Sequence, residues 1–186
     1  MKHDYLAIME LIRTADFEAM AELAECWDDF PSGKDDLIGR HWITNAIDCG
    51  SSEVVAWMLS HGASVPIEVD DGYSVLHSVI ERSNEDKYEM MRILIDAGAD
   101  VNEIGIHGYA PAHQAAVRND VEALKILHEI GADFRLRTTV DDYATPLEEA
   151  RSMNQRNASE AIDFLQSLEE EQEAQQAVGG NGGQAH

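Results

Sequence analysis

Three sets of residues in this chain have side chains able to carry chemistry. His107 and His113 stand six residues apart and supply two imidazoles of the kind that hold a divalent metal. A metal site would need two further ligands at suitable geometry, so a structural or surface role for these histidines stands beside the metal reading. Cys26 and Cys49 are the only thiols. Both lie among apolar and acidic residues, which raise a thiol pKa and oppose nucleophilic chemistry. Four acidic pairs, Asp28-Asp29, Asp35-Asp36, Asp70-Asp71 and Asp141-Asp142, offer carboxylates for calcium or for acid/base work. None falls into the Asp-x-Asp-x-Asp-Gly loop that calcium takes, and nothing sets two carboxyls across a cleft. The chain also has no Gly-rich phosphate loop, no serine nucleophile elbow and no Cys-x-x-Cys. The expectation is a non-catalytic protein with no cofactor and no metal.

Composition narrows the class further. At 186 residues and 44% hydrophobic content there is material for one packed domain or a short array of small units. Thirteen Lys and Arg against thirty-six Asp and Glu leave a formal charge of −23, which repels phosphate backbones and anionic lipid and favours a basic protein partner. Asp4, Glu10 and Arg13 break any apolar run near the N-terminus, and no other segment has the length of a membrane span. Two widely spaced cysteines suit reduced thiols, so the expected compartment is the cytoplasm.

The elements that must position these residues repeat. Gly108-Tyr-Ala-Pro-Ala-His-Gln-Ala has counterparts starting at Gly39, Gly72 and Tyr143, spaced 33, 36 and 35 residues apart. A second pattern, a Glu followed by an apolar helical face and a terminal Gly-Ala, ends at Gly62, Gly98 and Gly131. Pro111 and Pro146 sit where a first helical turn accepts proline, because the missing N–H has no intrahelical partner there. Ser74 and Thr145 can cap the helices that follow. Ala46, Ala115, Ala116 and Ala150 are small where helices approach, and the three glycines suit left-handed helix ends. Each unit is thus a helix, a turn, a helix and a projecting finger.

These motifs resemble the ankyrin repeat, over about residues 5 to 168. The closest stretches are Ser74-Val75-Leu76-His77, Ala110-Pro111-Ala112-His113 and Thr145-Pro146-Leu147-Glu148. The first unit departs most, with His41-Trp42-Ile43-Thr44 in that position. The resemblance implies an all-α solenoid of stacked helix-turn-helix units. Residues 1–36 read as N-terminal capping helices, 37–69, 70–105, 106–140 and 141–168 as four repeats with the last as cap, and 169–186 as a disordered acidic and Gly-rich tail. It also implies that His77 and His113 are structural, hydrogen-bonding between neighbouring turns, which leaves His107 a surface role.

Insertions mark the array's irregular places: a longer inter-helix loop within residues 81–90, a longer finger after Gly131, and a long connection at residues 151–157. In the ankyrin family the finger tips and outward positions of the first helices form a concave binding face. Carried over, that surface comprises Asp70, Asp71, Tyr73, Glu81, Arg82, His107, Tyr109, Arg118, Asp141 and Asp142. Tyr73 and Tyr109 are either aromatic anchors in a charged rim or packing residues against the neighbouring finger. The implied function is protein binding by a chain that is monomeric when unbound and touches neither nucleic acid nor membrane. Small acidic chains of this kind resemble bacterial immunity or inhibitor proteins that neutralise a cationic toxin such as a nuclease. An adaptor that links a client to a larger complex is the alternative.

Overall fold

The computed structural model describes residues 4–65, 72–105, 108–139, 143–153 and 159–179. Helices account for the regular structure among them, with one isolated bridge between Lys34 and His41. Two compact units divide the chain, Met1–Ile106 and His107–His186.

The first unit contains α1 (Tyr5–Thr14), α2 (Phe17–Cys26), α3 (Trp42–Cys49), α4 (Ser52–Ser60), α5 (Val75–Glu81) and α6 (Lys87–Asp96). Their starts follow from side chains that accept orphan backbone N–H groups: Asp4 from Leu6, Asp16 from Ala19, Ser51 from Val54 and Ser74 from His77. Helix α3 packs on α1, α4 and α5, and α6 packs on α4 and α5. Ala46 is fully buried on α3, since a small residue lets helix axes come close. Trp42, at 1% exposure, fills the centre of the N-terminal end; its ring meets Tyr5, Trp27 and Phe30 at centroid distances of 6.0, 5.8 and 5.9 Å. Truncating such a buried aromatic costs about 3–5 kcal/mol, so the first repeat replaces its neighbours' Pro or Val at this position with an anchor for the capping helices.

The second unit contains α7 (Pro111–Val117), α8 (Val121–Ile130), α9 (Pro146–Met153) and α10 (Glu160–Gly179). Helix α7 packs on α8 and α9, and α10 on both α8 and α9. Pro111 and Pro146 begin α7 and α9, and Gly62, Gly98 and Gly131 adopt left-handed φ values of 98°, 97° and 89°, as the spacing requires. Tyr143 takes φ 54° at the position where Gly39, Gly72 and Gly108 take 76°, 72° and 70°, so the fourth copy keeps the turn without the glycine. Helix α10 runs eleven residues into the stretch read from sequence as tail. Glu, Gln and Ala at 169–177 are strong helix formers, and they extend a helix that Ala161, Leu165 and Leu168 have already docked.

The five-residue connection between α5 and α6 is the expected insertion, and it is structural. Arg82, only 8% exposed, sends its guanidinium to the carbonyls of Ile47 and Gly50 (2.8 Å for the latter), at the C-terminal end of α3. There it meets carbonyls without intrahelical partners and the negative end of the helix dipole. Asp86 lies 3.7 Å from the same guanidinium and accepts the Ser52 N–H at 2.7 Å, at the N-terminus of α4. The loop therefore inserts one cation and one anion into the turn of the preceding repeat. In the second unit Asn119, at φ 57°, does the comparable work: its Oδ1 accepts from the Ala161 N–H (2.9 Å) and the Ser159 hydroxyl (2.7 Å) as α10 begins.

Candidate functional site

The first unit carries a groove of about 530 Å³ lined by Arg40, Asp48, Tyr73, Ser78, Glu81, Arg82, Ser83 and Asn84. Its walls come from the end of the first finger and from α3 and α5 and the loop after α5. Tyr73 stands half-buried, its ring edge-on to His77 at 6.2 Å and 88°. Glu81 is exposed at the end of α5. Asp48 holds Arg40 in an ion pair of 2.6 Å. The groove thus offers an aromatic wall, the carboxylates of Asp48 and Glu81, the guanidinium groups of Arg40, paired with Asp48, and of Arg82, and neutral hydrogen-bonding groups.

Arg82 corrects the sequence reading. It lines the groove but is not an outward contact residue, because burial and two carbonyls commit its guanidinium to the α3 terminus. Tyr73 and Glu81 both line the groove. Tyr109 and Arg118 belong to the second unit: Tyr109 stacks on His113 at 5.4 Å and 24°, and Arg118 is exposed after α7. Both tyrosines therefore pack on the histidine of their own repeat while keeping part of the ring in solvent. Asp70, Asp71, His107, Asp141 and Asp142 lie outside the described residues.

Asp48 and Arg40 are missing from the sequence reading, although a signal for them exists. Arg40 follows Gly39 as Tyr73 follows Gly72 and Tyr109 follows Gly108, and Asp48 sits in the register of Glu81. Extending the chosen positions one repeat upstream finds both.

The first finger is held by a buried carboxylate. Asp35, 3% exposed, accepts backbone N–H groups from Leu37 (2.9 Å), Ile38 (2.7 Å), Gly39 (3.2 Å) and Arg40 (3.2 Å), and the Asn45 amide at 3.0 Å. Burial pushes its pKa up, but these donors outweigh that and hold the carboxyl below the usual range.

His113 is fully buried. Its Nδ1 accepts the Ala110 N–H at 3.1 Å, and Nε2 lies 3.1 Å from the Ala144 carbonyl, which can only accept. The ring is therefore neutral with its proton on Nε2. Burial lowers its pKa against the opposing pull of the Ala144 carbonyl. Among the described residues, no group of three or more His, Cys, Asp or Glu is arranged to hold a metal ion. Cys49 is half-buried with its thiol pKa raised by burial and then by Asp48, while Cys26 is exposed; both are free.

Helix pairs joined by fingers define an all-α repeat solenoid. Residues 41–138, over half the chain, match the family model for ankyrin repeats (3 copies), and the chain belongs to the ankyrin repeat family. It is 32% identical over 108 residues to a putative ankyrin repeat protein of Acanthamoeba polyphaga mimivirus, covering 52% of this chain and 29% of that protein. It is 38% identical over 79 residues to the RelA-associated inhibitor of Mus musculus (42% of this chain, 9% of that protein). It is 30% identical over 131 residues to the B-cell lymphoma 3 protein homolog of Mus musculus (67% and 28%). The chain spans under a third of the length of each. Ankyrin repeats are protein-interaction modules and generally not catalytic. Among the described residues no helix is long and apolar enough to cross a membrane.

Proposed function

We propose that this chain binds a basic protein through the groove of its first unit, and does so without catalysis. The observation that carries the reading is the groove itself, where Tyr73 stands with the carboxylates of Asp48 and Glu81 on a chain of formal charge −23. Such a charge speeds encounter with a cationic partner, and a partly exposed tyrosine gives a contact that slows its departure. An incoming lysine or arginine meets the Tyr73 ring and the carboxylates of Glu81 and Asp48, and competes with Arg40 for Asp48. Tyr109 and Arg118 of the second unit are proposed separately as contact residues, as are Asp70, Asp71, His107, Asp141 and Asp142.

In its narrower form the chain is an inhibitor of the immunity type, occupying the active site of a cationic toxin such as a nuclease. The charge supports it, and one relative, the RelA-associated inhibitor, is itself named an inhibitor. The test is capture of a partner from the native host at low salt, identified by mass spectrometry, then titrated against the purified chain. A basic partner whose affinity falls with salt, and falls again with Tyr73→Ala and Glu81→Gln, is expected. A partner of neutral or acidic surface, or one indifferent to both substitutions, overturns the reading.

A further inference from the structure

Two large aliphatic side chains stand in solvent side by side on the first finger: Leu37 is 66% exposed and Ile38 60%. Isolated exposed leucines are ordinary on protein surfaces, but these sit on a loop that is built to stay in one shape. The Lys34–His41 bridge closes its base, the Asp35 N–H donates to the Arg40 carbonyl at 2.8 Å, and Gly39 N–H returns to the Asp35 carbonyl at 3.2 Å. The Asp35 carboxylate fills the turn and takes the N–H groups of both displayed residues. A buried, multiply bonded carboxylate fixes the backbone beneath Leu37 and Ile38, so little further backbone ordering accompanies contact with a partner. The finger is continuous with the groove through Arg40, whose N–H is held by Asp35 and whose guanidinium pairs with Asp48 in the groove wall.

We infer that Leu37 and Ile38 are the apolar anchors of the docking surface, and that the occupant is a segment of a basic protein that sets an aliphatic or aromatic side chain beside a lysine or arginine. The apolar side chain packs on the finger, and the cation enters the groove between Tyr73 and the carboxylates of Glu81 and Asp48. The inference rests on the basic-partner reading above and adds where the contact energy concentrates. Charge alone makes an encounter fast and salt-sensitive; a rigid apolar pair beside it supplies desolvated contact area of the kind found at hot spots.

The test pans a phage-displayed library of random linear peptides against the full chain, then measures the enriched peptides as synthetic ligands by fluorescence anisotropy. Enriched sequences are expected to pair Lys or Arg with a large apolar residue. Leu37→Ser with Ile38→Ser should weaken them about tenfold or more, the loss that follows removal of a hot-spot side chain. Leu37→Met with Ile38→Val should restore most of the affinity, and both doubles should keep the wild-type circular dichroism and melting transition. Asp48→Asn with Glu81→Gln separates the two ideas. Peptides that lose affinity with the acid variant and keep it with the finger variant sink the anchor and leave the basic-partner reading standing. Enriched peptides without Lys or Arg, indifferent to the acid variant, overturn the basic-partner reading and the inference with it, as does a library that yields no specific binder.

Discussion

The first finger and the loop that meets α7 are tied down by side chains of opposite character. In the first unit Asp35 gathers five donors, four of them backbone N–H groups, around one buried carboxylate. In the second unit the neutral imidazole of His113 accepts from Ala110 and donates to the carbonyl of Ala144, which also accepts the Thr138 N–H at 2.9 Å. The first repeat has Thr44 where the third has His113, so it has no imidazole to join its helix to a loop, and an anion in the finger does that work. An anion can organise only donors and so curls a turn around itself. An imidazole has one donor and one acceptor and can bridge two separate segments. The first device shapes a turn; the second joins repeats.

The largest effect is expected from breaking the imidazole bridge. His113→Ala removes two hydrogen bonds and leaves a cavity at a fully buried site, and urea unfolding should register a loss of about 3 kcal/mol. A loss below the cost of one surface hydrogen bond would show that His113 does not join these segments. Asp35→Asn comes next, at about 2 kcal/mol, because the amide nitrogen would face a donor where a carboxylate oxygen now accepts. Hydrogen exchange at Leu37, Ile38, Gly39 and Arg40 should speed up in that variant while exchange near Ala144 stays unchanged; uniform acceleration would sink the local role.

Acid should separate the two devices. The His113 pKa is depressed in the folded chain, so its contribution is full above the ordinary value of about 6.5 and is lost as pH falls from there toward the folded value. The Asp35 pKa is depressed too, so its contribution persists until pH drops below the ordinary carboxylate range near 4. Between pH 7 and 5, NMR-monitored unfolding should therefore show the second unit weakening while the first finger keeps its protected amides. Simultaneous weakening of both would contradict the assignment.

The smallest effect tests the fourth copy, where Glu148 stands in place of the histidine. Glu148 accepts the Thr145 N–H at 2.8 Å and pairs with Arg137 at the same distance; the Thr145 bond and then Arg137 lower its pKa. Both ends of the ion pair are substantially exposed, so Glu148→Gln should keep the cap and cost about 0.5 kcal/mol or less, fading in high salt. A loss of the size expected for His113→Ala would mean that the ion pair, not the cap, substitutes for the imidazole.

How much of this was legible in the chain follows from the range of each interaction. The prolines that open α7 and α9, the serine and threonine caps and the left-handed glycines act within one turn of the backbone, so residue type and spacing alone determined them. The period then determined that helix pairs stack, since one pair cannot bury its apolar face alone. Arg82 escaped the same reasoning. Its register marks an outward position, but its partners lie 32 and 35 residues away in the preceding repeat, and only their arrival turned a surface cation into a buried helix cap. In sequence Asp35 belongs to one of four acidic pairs with no assigned partner; folding aims five donors at it. Tertiary structure likewise decided that Asp48, Tyr73 and Glu81 share one groove and that Leu37 and Ile38 stand beside it on a fixed turn. Local rules specify where the backbone turns; burial and charge pairing depend on which distant segment fills the remaining space.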